Sequence, residues 1–468
     1  MSFGDRVYQA APGWMQSVLL NSYALQLRRK RFGVEFRSLL ADWEASQWWD
    51  PSRLREHQDE RVRAIIQFAG TKVPFYMRRW AEYGVSVNRV QGISDLPLLP
   101  TITKADIRAA GDDMLSVPAT HLTHGHTSGT TGSPLSLWYD RAMVIANNAA
   151  DWRQKWWGGL ELGEWCALFL GRVIVPVDQR RGPFWRANHV QKQLWCSSFH
   201  LSEENLPAYI EEIRRRGIRF LEGYPSTMYI VARFLLGRGE SLPLRAVFTS
   251  SETLHAAQRE AFEAAFLCPV FDFYGHAERV VFAGECDRHR GKHLFDEYGV
   301  TEIIDDDGRP VADDTPGMLT GTTLWNRGMP IIRYRTGDVS ARGAERCECG
   351  RGLGRLADIA TKAEDIVVTP DGRFVSPSVL THPFKPFDQL RKSQIIQDAP
   401  DHVLVKLVPS SGFSEAHRAE LTAGLRLRLG EAMRIETCIV DDIPAEKSGK
   451  FRWVICQLPH GCHVDWEK

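Results

Sequence analysis

The spacing of apolar and polar positions changes several times along the chain, and each change marks an element. Over the first hundred residues it reads as helices, punctuated by "PS" at Pro51 and by the proline-rich "LPLLPTITK", an entry to the main body. Beyond it two periods alternate. "LSLWYD" (135–140) reads as a short strand, "RAMVIANNAADWRQKWW" (141–157) as a helix and "WCALFLG" (165–171) as an apolar strand. "EENLPAYIEEIRRRG" (203–217) reads as an amphipathic helix closed by glycine. "IRFLEGYP", "LRAVFTS" and "VFDFYG" are further strands, separated by the helical segments "STMYIVARFLLGRG" and "SETLHAAQREAFEAAF".

Strand and helix repeated in this way predict an α/β fold, with mostly parallel sheets flanked by helices. In such sheets ligands bind at the carboxyl ends of strands, and here those ends run into "GYPS", "TSSET" and "FYGHAE". After "IRYRTGD" the texture shifts to "ERCECGRG" and then to a last hundred residues holding the strand "HVLVKLVP" and the helix "EAHRAELTAGLRLRLG". The expected division is a large N-terminal domain of residues 1–364 and a small α+β C-terminal domain of residues 365–468.

Composition narrows the function classes. An apolar fraction of 43% and a charged fraction of 25% are those of a soluble globular protein. Lys plus Arg (58) balances Asp plus Glu (58), so no net field draws the chain to nucleic acid. "GWMQSVLLNSYALQLRRKRF" has its basic cluster after the apolar run and no small-residue cleavage site, which argues against a signal peptide and for a cytoplasmic protein. Arg28 to Arg31 read as the solvated end of an amphipathic helix rather than a lipid contact, and no stretch suggests a membrane span.

Nine cysteines, an odd number, argue against a disulfide framework; Cys166, Cys196, Cys268, Cys438 and Cys456 are expected to pack as small hydrophobes. Cys347 and Cys349 in "CECG", with Cys286 and the nearby His289 and His293 in "ECDRHRGKH", offer the three thiolates and one imidazole of a tetrahedral zinc site. Four protein ligands leave no open position, so such a zinc is structural. The alternative is free surface cysteines in a reducing compartment.

"HTSGTTGSPLSLWYD" packs hydroxyls and glycines able to surround an anion with amides, but it lacks the lysine of a Walker loop. The segment resembles the phosphate-binding loop of the adenylate-forming enzymes, the superfamily of acyl-coenzyme A synthetases, luciferases and nonribosomal adenylation domains. "GYPST", "TSSET", "FYGHAE", "YRTGD" and "SGK" follow in the order that superfamily uses. The nearest match is the phenylacetate-coenzyme A ligase-like branch, including members encoded with capsular polysaccharide genes. "YALQLRRKRFG" and "LPLLPTITKADIR" resemble its opening helices.

The resemblance implies roles. Thr127, Ser128, Gly129, Thr130, Thr131 and Gly132 would hold the phosphates of ATP, with Thr130 in the catalytic set beside Glu278 and Lys450. Ser251, Glu252 and Thr253 would line the nucleotide and acyl pockets, Tyr274 would stack on adenine beside Gly275, Glu278 would hold magnesium and Asp338 the ribose hydroxyls. Asp365 would be the hinge about which the small mobile domain brings in Lys450. Counting back from the "DG" turn puts Lys362 where the family has a ribose-contacting arginine, with Arg355 of "GRLAD" as the alternative. Related proteins of the branch carry a similar cysteine and histidine set, which favours His293 over His289 as the imidazole ligand.

The implied activity is ATP-dependent activation of a carboxylic acid, with transfer to coenzyme A as the leading acceptor. An amine acceptor and a non-catalytic zinc-stapled relative are the alternatives. A homodimer is left open.

Overall fold

The computed structural model describes residues 8–127, 135–176, 178–343, 346–357, 359, 366–375, 377–384, 386–387, 389–443 and 452–458. Helices α1 (Gly13–Arg31), α2 (Val34–Ser46), α3 (Pro51–Lys72), α4 (Pro74–Glu82) and α5 (Lys104–Ala110) form the N-terminal third. The hairpin β1 (Thr123–His126) and β2 (Ser136–Tyr139) follows. Then come α6 (Arg141–Trp157), β3 (Cys166–Phe169), β4 (Trp185–Asn188), β5 (Gln193–Cys196), α7 (Leu206–Arg215), β6 (Phe220–Gly223), α8 (Pro225–Gly237), β7 (Ala246–Ser250), α9 (Ala256–Phe266) and β8 (Val270–Gly275).

β9 (Phe282–Gly284), β10 (Lys292–Leu294), β11 (Gly299–Ile304), β12 (Gly317–Thr323), β13 (Tyr334–Ser340) and β14 (Arg355–Leu356) continue the large part of the molecule. β15 (Val367–Val368), β16 (Phe374–Val375), α10 (Pro377–Thr381), β17 (Leu390–Ala399), β18 (His402–Pro409), α11 (Glu415–Leu429), β19 (Arg434–Ile439) and β20 (Val454–Cys456) form the smaller part.

A sheet of nine strands in the order β14-β10-β9-β8-β7-β6-β3-β5-β4 is the backbone of the large domain. Its centre, β8-β7-β6-β3-β5, is parallel, and every residue of β3, β6 and β7 is buried, which is why these segments read as largely apolar runs. The edges differ from the parallel expectation. β4 pairs antiparallel to β5, and β9, β10 and β14 add antiparallel partners on the other side. The chain order reverses between β3 and β6, which creates a switch-point crevice at their carboxyl ends. A separate antiparallel sheet, β11-β12-β13, carries the "YRTGD" segment.

α6 forms because Asp140 caps it, its carboxylate accepting the Met143 N–H at 2.8 Å, and because Met143, Ala146, Ala149, Ala150 and Arg153 make one buried stripe. α11 repeats the logic with a Ser414 cap and the stripe Leu421, Leu425, Leu429. That stripe closes a core with Val379, Ile395, Val405 and Trp453, into which Phe199 of the large domain is fully buried. Arg373 fastens the same contact, donating to the Phe199 carbonyl at 2.8 Å and to the Arg428 carbonyl at 3.1 Å at the end of α11.

The cysteine expectation holds for Cys166, Cys196 and Cys268, which are buried and free. Cys438 is free and half-buried. Cys456 is a correction: it is buried but disulfide-bonded. No helix among the described residues is long and apolar enough to cross a membrane.

Candidate functional site

β6, β7 and β8 all end on one side, and the turns beyond them are tied together. Ser251, directly after β7, adopts φ +69°, a conformation few non-glycine residues take outside constrained turns. Next to it Glu252 accepts the Ser226 N–H at 2.9 Å, latching the β7 turn to the first turn of α8. Thr249 donates to Asp272 Oδ1 at 2.7 Å, joining β7 to β8 through side chains as well as backbone.

β8 delivers Tyr274, whose hydroxyl donates to Asp338 Oδ2 at 2.7 Å. Burial, and then the Asp338 charge, push the Tyr274 hydroxyl well above its ordinary range, so it stays protonated and donating. Asp338 is aimed by a bulge. Arg335 pairs with Thr320 and Val339 with Met318, so β13 advances by more residues than its partner, and Gly337 inside that stretch has φ +90°.

Glu278 lies in the turn after β8. Tyr334 donates to its Oε1 at 2.7 Å, and His276 Nδ1 stands 3.4 Å from its Oε2, close enough for an ion pair but not aligned as a hydrogen bond. Burial pushes this carboxyl up, but His276 and the Tyr334 hydroxyl outweigh it and hold it down at about 2. The Tyr334 hydroxyl is in turn raised by burial and by the charges of Glu278 and Asp338, so the two acidic positions share one electrostatic neighbourhood. Arg279, at φ +55°, stacks 3.8 Å over the Tyr139 ring, and Tyr139 donates to the Ala277 carbonyl at 2.6 Å. β2 is thereby fixed to the turn that carries Glu278.

The glycine-rich segment enters beside β2. Thr127 and Leu135 close its neck: Thr127 N–H donates to the Leu135 carbonyl at 3.1 Å, and Leu135 N–H donates to Thr127 Oγ1 at 2.9 Å. Around the crevice Ser226 Oγ, Thr253 Oγ1, His276 Nε2 and Arg279 Nη1 are buried and find no hydrogen-bond partner among the described residues. Orphaned polar atoms beside an ionised, buried carboxylate fit a phosphate-rich ligand with a hard divalent cation.

A second cluster lies beyond β9. The donor atoms of Cys286, His293, Cys347 and Cys349 all fall within 4.8 Å of one another. Zinc with sulfur at about 2.3 Å and nitrogen at about 2.0 Å separates its ligand atoms by about 3.5 to 3.8 Å. Cys286 and Cys347 sulfurs are 3.7 Å apart, and Cys349 Sγ is 3.3 Å from His293 Nε2, so the donor set fits that ion. Burial and then the Arg351 charge hold His293 down at about 4, leaving its imidazole neutral and free to ligate. His289 is engaged elsewhere, with Nδ1 at 3.2 Å from Glu285 Oε2.

The family model described as the CapK C-terminal domain matches residues 367–457. Protein CapK of Staphylococcus aureus is 27% identical over 426 residues, spanning 86% of this chain and 89% of that protein. The phenylacetate-coenzyme A ligase of Thermus thermophilus is 26% identical over 341 residues, 68% of this chain and 72% of that enzyme. The chain is a homologue of CapK and the phenylacetate-coenzyme A ligases. A solved structure of 2-hydroxyisobutyryl-CoA ligase in the postadenylation state has the same fold, with a TM-score of 0.56 at 20% identity, covering 87% of this chain and 90% of that one.

The residues singled out in the sequence fall into three groups. Tyr274, Gly275, Glu278 and Asp338 meet around the strand ends, with Ser251, Glu252 and Thr253 on the neighbouring turn and Thr127 at the loop neck. Arg355 sits on β14, opposite His293 in register, and its guanidinium donates to the Arg290 carbonyl on the cysteine side. Ser128, Gly129, Thr130, Thr131, Gly132, Lys362, Asp365 and Lys450 lie outside the described residues.

Sequence reasoning missed Tyr139, His276, Arg279 and Tyr334. His276 and Arg279 lie in or beside the quoted "FYGHAE", and Tyr334 opens the quoted "YRTGD", so their proximity to the motif residues was the available signal.

Proposed function

We propose that the protein is an AMP-forming acid–thiol ligase that activates a carboxylic acid with ATP and transfers the acyl group to coenzyme A. The observation that carries this is the meeting of the Tyr274–Asp338 pair with the ionised Glu278 at the ends of β8 and within β13, in a homologue of phenylacetate-coenzyme A ligases. A carboxylate oxygen of the substrate attacks the α-phosphorus of ATP; the bond to the β-phosphate breaks and pyrophosphate leaves with the electron pair. The protein supplies position and charge.

Asp338 accepts the ribose hydroxyls, with Lys362 in place of the family arginine, and Tyr274 flanks the adenine. Loop amides and the hydroxyls of Ser128, Thr130 and Thr131 hold the outer phosphates, and Lys450 offsets the charge shared by carboxylate and α-phosphate. Magnesium, held by Glu278, supplies charge neutralisation at the phosphates. In the second half the thiol sulfur attacks the acyl carbon, the bond to AMP breaks, and the thiol proton is released.

The domain boundary is proposed at Asp365, where rotation withdraws Lys450 and admits the acceptor. Residues 171–176, after β3 at the switch point, with Tyr224 after β6, are the proposed acyl wall. Cys286, His293, Cys347 and Cys349 hold a structural zinc. Use of ATP and coenzyme A supports a cytoplasmic site of action.

A second reading keeps adenylation and changes the acceptor to an amine. The test is incubation with ATP, magnesium, hydroxylamine and a panel of carboxylic acids, followed by coenzyme A or amines in place of hydroxylamine. Pyrophosphate and hydroxamate are expected with at least one acid, and none with Lys450→Ala, which should still bind ATP. Loss of ATP binding by the wild type would overturn the assignment. ATP binding without pyrophosphate release across the panel would favour a non-catalytic relative.

A further inference from the structure

Helix α1 is seated in the reverse of the usual order for a surface helix. Its anchors are polar: Arg186 donates to Gln16 Oε1 at 2.9 Å, Asn21 Nδ2 to the Ala187 carbonyl at 2.9 Å, and the His189 N–H to Asn21 Oδ1 at 2.8 Å. All three reach β4, the edge strand of the large sheet, or the residue after it. The apolar positions point outward instead, with Trp14 69% exposed, Val18 55% and Leu25 45%. These three fall on a single helical stripe, while Leu19 and Tyr23 are exposed about half a turn away. An exposed apolar patch of this kind marks a surface that something occupies.

Charge identifies the occupant. From Arg6 to Val34 the chain has no carboxylate and ends α1 with Arg28, Arg29, Lys30 and Arg31, although the whole protein is balanced at 58 against 58. A recess of about 360 Å³ opens at this end of the helix, bordered by Arg28, Arg37 and Lys192 over Phe32, Phe36 and Trp152, with no acid in its lining. It shares no residue with the crevice at the strand ends, and none of the three cations is in an ion pair among the described residues. A second copy related by a two-fold axis at the C-terminal end of α1 would bring the same basic cluster against itself. A free phosphate would occupy the recess and leave Trp14 and Val18 in water.

We propose that α1 and the recess at its C-terminal end dock on the surface of an anionic lipid bilayer. Trp14, Val18 and Leu25 enter the acyl boundary, and a headgroup phosphate sits among Arg28, Arg37 and Lys192. The helix lies along the bilayer and does not cross it. On this proposal the basic end of α1 meets headgroups rather than bulk water, because the apolar side chains beside it are uncovered among the described residues.

The test is co-sedimentation of the full chain with vesicles of phosphatidylcholine containing phosphatidylglycerol, and with phosphatidylcholine alone, at low and high salt. Two variants are compared: Trp14→Ser/Val18→Ser/Leu25→Ser, and Arg37→Glu/Lys192→Glu. The wild type should bind the anionic vesicles and be released by high salt, and each variant should lower the partition by at least about tenfold at an unchanged melting temperature. No vesicle binding, or equal binding to neutral vesicles, would overturn the proposal. So would light scattering that finds a wild-type dimer which the apolar triple variant makes monomeric, since a second copy would then cover the face. Should the triple variant fail to fold, the charge-reversed pair decides alone. None of these readouts depends on adenylation.

Discussion

The crevice at Tyr274 and the cluster at Cys286 are assembled from the same two stretches of chain. Residues 274–286 run from one to the other across β9, and residues 338–349 do so after β13. Yet the two are finished differently. At the crevice, polar partners govern the chemistry: Glu278 is held at about 2 against its own burial, while nearby hydroxyls and a guanidinium nitrogen are left unmatched. On the cysteine side burial governs at two positions. Asp296, three residues beyond His293, is pushed up to about 6 by burial although it accepts the Gly354 N–H at 2.8 Å, and the Cys286 thiol is pushed up to about 12. A site that must accept a changing ligand keeps unpaired donors in reserve; one that needs only to hold its shape is closed by four mutually adjacent ligands.

The contrast breaks most visibly if the cysteine side is opened. Cys347→Ser, or chelation, is expected to remove one equivalent of zinc and several kcal/mol of stability, with roughly 10 kcal/mol as the upper bound. Metal analysis alongside denaturant titration checks this, and an unmoved midpoint would make these thiols ordinary packing. Glu278→Gln should act on the chemistry instead, lowering kcat/KM for pyrophosphate release by roughly a hundredfold to a thousandfold while leaving the zinc content unchanged.

Acid titration of stability sharpens the same difference. Asp296 has a raised value, so its contribution favours the folded state below about 4 and is lost as pH rises to about 6. Asp296→Asn should flatten that window by roughly 1 to 2 kcal/mol. Glu278 has the opposite sign: its contribution is present above about 4.5 and is lost as pH falls towards about 2. Smallest is Tyr274→Phe, which removes the hydrogen bond to Asp338 and should raise the KM for ATP about fivefold, near 1 kcal/mol. Arg355→Ala, whose side chain faces Arg290, should leave that KM unchanged; an equal rise in both would place Arg355 at the nucleotide.

Much of the central fold is legible from periodicity alone. β3, β6, β7 and the first half of β8 are largely apolar because both faces are covered, and α6 and α11 carry regular stripes. The antiparallel additions are not legible. β9, β10 and β14 span two or three residues each, too few for a period to register. "SETLHAAQREAFEAAF" was expected to be helical from its first residue, but α9 starts at Ala256, because the preceding turn is constrained by Ser251 and by the Glu252 latch. At the site, the motif residues are visible as motifs, whereas Tyr139 and Tyr334 act through partners 138 and 56 residues away in sequence, a separation no local pattern encodes.

Phe199 belongs to the large domain by chain position and to the core of the small domain by packing. If the small domain rotates as proposed, each cycle must withdraw that ring or the Arg373 bond to its carbonyl. Thermal endurance and turnover frequency would then pull against each other at one aromatic side chain: trimming Phe199 would make the protein melt earlier and, where rotation limits the rate, run faster.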